Sequence, residues 1–494
     1  MFEGFASALL TVLEVDSLLA IIAGSAIGLI FGAIPGLGGI IAMSMLLPFT
    51  FAWDAVTAIY LFCGIMGASA FGGSISAILL NTPGTAVNVA TCFDGYPMAK
   101  RGEAAKALGV SASACLLGAL FGLVVLGVLI QVMRPLVLAF GHAEIFWLVV
   151  FGLVSTATIS QGSLLGGLIA GGVGILLSLI GLNEPTGLIR FTMGSEYLWD
   201  GIPLIPFFVG LFAIGELINY SAQGGTIASE NIEPNLRGAW EGVLEVLRRP
   251  FCLLRSSLIG TLVGIIPGVG GETANLIAYT VAVQSSKDPE TFGKGNPEGV
   301  IASEAANDSK DGGALLTTLS FGIPGSLAMA LLLSIFIIHG VVPGPQLIAK
   351  EPTFIWTLLI GYVAANAFAS IFGLLTSRYL AVITQIPVSY LSAVIAVVAL
   401  VGTYTLRENI WDVFLVLILG VFGFAIRRAG LPLLPLVIGF VLGKLAENSF
   451  LLTIRIHDGS YLGFFDSLLS FALIGITFAV PLLKLTRFHR LEGR

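Results

Sequence analysis

Two segments of the chain combine a proline with closely spaced glycines in apolar surroundings. GLIFGAIPGLGG covers residues 28–39, and GTLVGIIPGVGG covers residues 260–271. Proline removes a backbone donor and glycine permits backbone angles that other residues avoid, so each segment should break a helix. A broken helix exposes N–H groups that suit a carboxylate and carbonyls that suit a cation. These residues therefore predict ion binding by the backbone.

A second pair of Pro-Gly segments, NTPGT at 81–85 and GIPGS at 322–326, follows the first pair in each half of the chain. Hydroxyl and amide side chains accompany the breaks and could bind carboxylate oxygens or Na⁺: Asn81, Thr82, Thr85, Thr273, Asn275 and Ser326. Back-bonding of Ser and Thr to helix carbonyls is an equally weighted alternative for any one of them. For Gly28 and Gly32, close helix packing is favoured over ligand contact.

Ionisable residues within apolar spans are costly and often functional. Glu216, in FAIGELINY, and Glu272, directly after the second break, are candidates for ion coupling together with Thr273 and Asn275. For Glu216, structural hydrogen bonding is slightly favoured over function. The polar stretch SEAANDSKDGG, at 303–313, is interpreted as a solvated entrance or as the cap of a following helix, with the alternative that Asn307 reaches a central cavity.

Composition indicates the elements that must position these residues. The chain has 494 residues, of which 56% are hydrophobic and 11% charged, and no basic stripe indicates a nucleic-acid partner. Apolar runs long enough to span the bilayer recur along the chain, which predicts an all-α polytopic membrane protein with about twelve transmembrane spans. The four cysteines lack CxxC spacing and are predicted to be free packing residues rather than zinc ligands or disulfides.

The recurrence of both segments in the same order predicts a duplicated unit with discontinuous or re-entrant helices. Lys and Arg follow the first copy but precede the second, so the positive-inside bias predicts inverted repeats. The predicted divisions are a first repeat half at 1–233, a cytoplasmic connecting segment at 234–252, a second repeat half at 253–402 and C-terminal transmembrane helices at 403–494.

Enzymatic signals are poor, and we expect no enzyme activity. The chain has no GxxxxGK[ST], HExxH or GxSxG motif, so ATP hydrolysis and intramembrane hydrolysis are unsupported. No organic cofactor is expected, and Na⁺ is the candidate coupling ion. An ion channel with glycine-rich selectivity elements is the alternative to a transporter.

Longer motifs resemble a known family. IPGLGG, NTPGT, CFDGYPMAKRGEAAKALG, IPGVGGETAN, FGKGNPEGVIASEAANDSKDGGALLTTLSFGIPGS and IHGVVPGPQL are similar to the large membrane subunit of the bacterial tripartite tricarboxylate transporters. The resemblance implies secondary import of di- and tricarboxylates across the cytoplasmic membrane, driven by a Na⁺ or H⁺ gradient. It also implies two partners, a periplasmic solute-binding protein and a small integral membrane subunit.

Carried onto this chain, the motif positions agree with those chosen on backbone grounds. The candidate substrate-binding residues are Pro35, Gly36, Gly38, Gly39, Asn81, Thr82, Pro83, Gly84, Thr85, Gly268, Gly270, Gly271, Gly322, Pro324, Gly325 and Ser326.

Overall fold

Helices make up almost all regular structure in the computed structural model, which describes residues 2–160, 163–183, 185–223, 236–267, 270–344, 347–348, 351–383 and 388–492. The α-helices are α1 Phe2–Val12, α2 Val15–Ala33, α3 Gly38–Leu46, α4 Ala55–Leu80, α5 Val89–Met98, α6 Ala104–Leu138, α7 His142–Ile159, α8 Leu164–Ser178, α9 Leu204–Phe208, α10 Gly215–Gln223, α11 Leu236–Leu247, α12 Pro250–Ile265, α13 Gly270–Ser285, α14 Pro297–Phe321, α15 Leu327–Ile338, α16 Pro352–Ile383, α17 Val388–Arg407, α18 Ile410–Arg428, α19 Leu433–Ile456 and α20 Leu468–Glu492. Shorter 3₁₀ or π segments, such as Ala86–Asn88 and Ala99–Glu103, join several of them.

A small antiparallel hairpin interrupts the helices. Its strands are β1 Gly181–Asn183 and β2 Leu188–Arg190, with Gly181 opposite Arg190. Strands of three residues carry too little hydrophobic alternation to be predicted from sequence, and this hairpin was not expected.

Seven helices of the described chain are long and apolar enough to cross a membrane: Val15–Ala33, Ala55–Leu80, Ala86–Ile130, His142–Ile159, Thr353–Leu380, Ile410–Arg428 and Leu433–Ile456. Other apolar helices are shorter, among them Pro250–Ile265 and Leu327–Ile338. The all-α, multi-pass class is confirmed, whereas the count of about twelve spans stays a prediction.

The four predicted helix breaks are present. The hairpin of α2 and α3 turns at residues 34–37, and α12 and α13 are separated between Ile265 and Gly270. Residues 81–85 separate α4 from the next 3₁₀ turn, and residues 322–326 separate α14 from α15. The Pro-Gly segments therefore end helices as their backbone chemistry requires.

The helix pairs α2–α3 and α12–α13 each form a helix hairpin, and the first helix of each hairpin packs directly on a long helix. Along α2 and α4, a Cβ on Gly28 would lie 2.5 Å from the carbonyl oxygen of Ile65, and one on Gly32 would collide with the backbone of Ser69. The later residue of α2, Gly32, contacts the later residue of α4, Ser69, so these two helices run parallel. The expectation that Gly28 and Gly32 serve close packing is confirmed.

The second repeat packs in the same way. Gly260 and Gly264 of α12 lie against the backbones of Ala306 and Lys310 in α14, and these helices also run parallel. The contacts are equivalent to those of α2 on α4. Ser69 precedes Pro83 by the same number of residues as Lys310 precedes Pro324. The duplicated sequence therefore forms a duplicated helix packing unit.

Helix α4 lies at the centre of the first half. In its most apolar stretch, 78% of the residues are buried inside the protein, which requires a helix that is apolar on all sides. Helix α16 packs along it in the same direction, since Gly361 lies against the Tyr60 ring and Gly373 against the Phe71 ring.

Candidate functional site

The two breaks of the first repeat meet through their backbones. The Gly36 N–H donates to the carbonyl oxygen of Gly84 at 3.1 Å, and the Gly84 N–H donates to that of Gly73 at 3.2 Å. A Cβ on Gly38 would lie 3.5 Å from Cγ2 of Thr85. Residues 34–38 and 84–85 thus form one backbone platform.

The second hairpin reaches the same platform. Asn275, near the start of α13, donates a hydrogen bond from Nδ2 to the carbonyl oxygen of Val87. A Cβ on Gly271 would lie 2.8 Å from Cγ1 of Val87. The structure therefore brings the break of the second repeat to the segment that follows NTPGT in the first.

One side chain in each repeat faces the start of the returning helix. Gly39 of α3 lies against the side chain of Ser69, and Gly271 of α13 lies against the side chain of Lys310. Ser69 is near the middle of α4 and Lys310 near the middle of α14. The repeat has therefore placed a serine hydroxyl and the alkyl chain of a lysine at equivalent positions beside two helix N-termini.

Lys310 supplies a positive charge at this site. Its Nζ lies 2.7 Å from Oδ1 of Asp311, and the Tyr362 hydroxyl donates to the other carboxylate oxygen of Asp311 at 2.6 Å. The side chains of Lys310 and Asp311 are 14% and 6% exposed. A lysine beside a helix N-terminus attracts anions, because both carry positive charge.

The interpretation of residues 303–313 as a solvated entrance or a helix cap is wrong. They lie within α14, where Glu304 is 0%, Asp308 1% and Asp311 4% exposed. The charge density of this stretch resembles that of a solvated loop. In the structure, however, α6, α12 and α13 cover it.

A buried hydrogen-bond network continues from the platform into the protein. Thr85 donates to Oδ1 of Asn88 at 2.5 Å, and Asn88 donates from Nδ2 to Ser74 at 2.8 Å. Ser74 then donates to Oε1 of Glu304 at 2.7 Å. Thr91 donates to the same oxygen of Glu304. The network connects the first Pro-Gly loop to the central helix of the second repeat.

Cys115 ends this network and is more than a packing residue. Its thiol donates to Oε2 of Glu304 at 3.0 Å. All four cysteines are free thiols in the structure.

Several candidate residues have local structural partners. Glu216 forms an ion pair with Arg427, which agrees with the slightly favoured structural role. Thr82 donates to the carbonyl oxygen of Leu80 at 3.2 Å, which is the back-bonding alternative. Ser326 accepts from the Met329 N–H at 3.3 Å as the N-cap of α15. None of these contacts tests a role in binding.

Four further candidates differ in their surroundings. Asn81 is exposed and ends α4 in a left-handed conformation with φ 53°. Gly325 packs inside its own repeat, with its Cβ position 2.9 Å from Cβ of Ala314 and 3.2 Å from the carbonyl oxygen of Gly264. Glu272 lies in the first turn of α13. Gly268 lies outside the described residues, and all these site assignments stay predictions.

Sequence reasoning missed Ser69 and misread Lys310 and Glu304. Extending the alignment of the two copies from Pro83 and Pro324 toward the N-terminus would have paired Ser69 with Lys310. For Glu304, the sequence shows only a charged residue. Its partners Ser74, Thr91 and Cys115 are distant in sequence, so their contacts could not be predicted.

Together, the fold and the site define a multi-pass helical membrane protein with interrupted helices gathered around a buried polar centre. The sequence profile of the tripartite tricarboxylate transporter TctA family matches residues 18–438, and the chain belongs to this family. The family makes it a transporter subunit.

Two relatives from Agrobacterium vitis agree with this membership. An uncharacterised 52.8 kDa protein in the TAR-I ttuC′ 3′ region is 32% identical over 467 residues, covering 94% of this chain and 92% of the relative. An uncharacterised protein in the TAR-II ttuC′ 3′ region is 32% identical over 227 residues, covering 46% of this chain and 93% of the relative. No solved structure matches the chain.

Proposed function

We propose that this subunit imports di- and tricarboxylates across the bacterial cytoplasmic membrane by ion-gradient-driven secondary transport. A periplasmic solute-binding protein would deliver the substrate, and a small integral membrane subunit would complete the complex. The observation that carries the proposal is Lys310, near the middle of α14 and against the start of α13. Charge near the middle of a buried helix is costly, and a carboxylate substrate would give it a use.

The proposed site uses both hairpins. Lys310 and the N-terminus of α13 would attract one carboxylate, while Ser69 and the N-terminus of α3 would hydrogen-bond another part of the substrate. Asp311 would hold Lys310 when substrate is absent, and the substrate carboxylate would compete with it.

We also propose that the two repeats are inverted. Helix α16 runs parallel to α4, and Tyr362, which follows Gly361, contacts Asp311 of α14. Further toward the C-terminal end of α4, Ser74 contacts Glu304. Residue numbers therefore rise along α4 while they fall along α14, so the two equivalent helices run in opposite directions. This arrangement supports inversion, which is common in secondary transporters that bind substrate near the midplane.

Reconstituted transport tests the proposed function. Proteoliposomes would hold the chain with its two partner proteins, and labelled di- and tricarboxylates would be offered with and without a Na⁺ or H⁺ gradient. We expect saturable uptake that needs both the gradient and the binding protein.

The same experiment separates the alternative. Nothing in the comparisons supports an ion channel. Ion conductance that does not saturate and does not need the binding protein would favour a channel and contradict the proposal. Empty vesicles and vesicles that lack only the binding protein are the controls.

A further inference from the structure

A buried acidic cluster lies at the end of the hydrogen-bond network and outside the proposed carboxylate site. Ligand atoms of Cys115, Glu304 and Asp308 all lie within 4.8 Å of one another. Glu304 is 0% exposed, and Asp308 is 1% exposed. Helix α6 supplies Cys115, while α14 supplies both carboxylates one turn apart.

The two carboxylates differ in their hydrogen bonding. Glu304 accepts hydrogen bonds from Ser74, Thr91 and Cys115, and these favour its ionised form against the cost of burial. Neither oxygen of Asp308 receives a hydrogen bond of acceptable geometry within the described chain. The nearby Cys115 thiol has one proton, and Glu304 receives it. A buried ionised carboxylate without a donor is strongly disfavoured unless a cation or a proton neutralises it.

Within the described chain, the ammonium of Lys310 lies near this pair but also forms an ion pair with Asp311, so one positive charge faces three carboxylates. Two ionised carboxylates this close repel each other strongly in a low dielectric. A proton on Asp308 would remove its charge but would add an O–H donor that also needs a partner.

We propose that Glu304 and Asp308 bind one Na⁺ ion, the coupling ion of transport. Hard cations prefer oxygen ligands, and the two carboxylates provide them with the Ser74 and Thr91 hydroxyls close by. A zinc-like ion would instead recruit Cys115 as a thiolate, which would remove the hydrogen bond that Cys115 donates to Glu304.

Hydrogen bonds also connect the proposed Na⁺ site to the proposed substrate site. Glu304 connects through Ser74 and Asn88 to Thr85 on the backbone platform. A cation that draws on Glu304 therefore changes the hydrogen bonding that fixes the first Pro-Gly loop. This coupling role depends on the proposed ion-driven transport, whereas Na⁺ binding itself does not.

Binding of ²²Na⁺ to the purified full chain in detergent, without carboxylate, tests the site. We expect saturable binding by the wild type and affinity weakened about tenfold or more by Asp308→Asn, because a charged ligand is lost. Glu304→Gln should have a similar effect and serves if the Asp308 variant does not fold. Glu298→Gln is the matched control: it removes a carboxylate from the same helix, where Glu298 pairs with Arg249.

Three results would overturn the site: no Na⁺ binding by the wild type, unchanged binding in both cluster variants, or a stoichiometric transition metal that Asp308→Asn removes. If Na⁺ binds here but a Na⁺ gradient does not change the rate of carboxylate uptake in proteoliposomes, the Na⁺ site is supported and the proposed coupling is wrong. The two proposals can therefore fail separately.

Discussion

Lys310 illustrates how much depends on the surroundings of a single side chain. It lies midway along a buried helix, its alkyl chain packs on Gly271, and its ammonium pairs with Asp311. The equivalent residue of the other repeat is the uncharged Ser69. In the proposed site, this asymmetry would provide one charged and one neutral contact, which suits an anion that also carries hydroxyl or uncharged oxygen groups.

Replacing Lys310 tests this role. Lys310→Met should weaken carboxylate binding about 10- to 100-fold, because a hydrogen bond to a charged group contributes about 1.5–3 kcal/mol. Isothermal titration or scintillation proximity binding with the purified chain would measure the change. Asp311 would lose its partner, so the double variant Lys310→Met with Asp311→Asn controls for an unpaired buried charge. Binding that is unchanged in both variants would exclude Lys310 from the site.

At the scale of elements, the Pro-Gly loops of the two repeats make equivalent contacts but leave different amounts of space for an added methyl group. A methyl group on Gly84 would collide with the backbone oxygen of Gly32 and lie 2.5 Å from Cα of Gly73. At Gly325 the equivalent distances are 3.2 Å to Gly264 and 3.3 Å to Cα of Ala314. The first loop is therefore packed more tightly than the second.

Alanine substitution of the paired glycines should show this difference. Gly84→Ala should lower the free energy of unfolding by about 1–3 kcal/mol through overpacking, and Gly325→Ala by less. Thermal unfolding in detergent, followed by tryptophan fluorescence, would compare the midpoints. Gly172→Ala is the control, since nothing lies within 4 Å of its Cβ position. Equal shifts for the two loops would contradict the proposed difference.

At the scale of the whole molecule, basic residues from distant parts of the chain gather at one end. Arg101 donates to the carbonyl oxygen of Gly295 at 2.5 Å, and Arg249 donates to Glu298 at 3.2 Å. These residues flank the end of the first copy and the start of the second. The positive-inside bias predicts that this end is cytoplasmic and that the start of α4 faces the other side.

Site-directed labelling tests this orientation. Single cysteines at Trp53, before α4, and at Lys287, before α14, should react with an impermeant maleimide from opposite sides of the membrane, because the proposed inversion places the starts of these two helices on opposite sides. The parent protein, whose own thiols are buried or half-buried, gives the background. Reaction of both positions from the same side would contradict inversion.

The sequence alone determined the class of protein, the four helix breaks and the family. Hydropathy measures the membrane environment directly, and Pro35 and Pro267 act on the backbone of their own turn. Both signals are local, so they can be read without knowing what packs nearby.

Only the tertiary structure decided which polar residues lie together. Residues 303–313 are too polar to be predicted as a buried stretch, and only α6, α12 and α13 packed around α14 reveal that they are covered. Likewise, Glu304 meets Ser74 and Cys115 across gaps of 230 and 189 residues. Such contacts depend on helix packing, which local sequence does not specify.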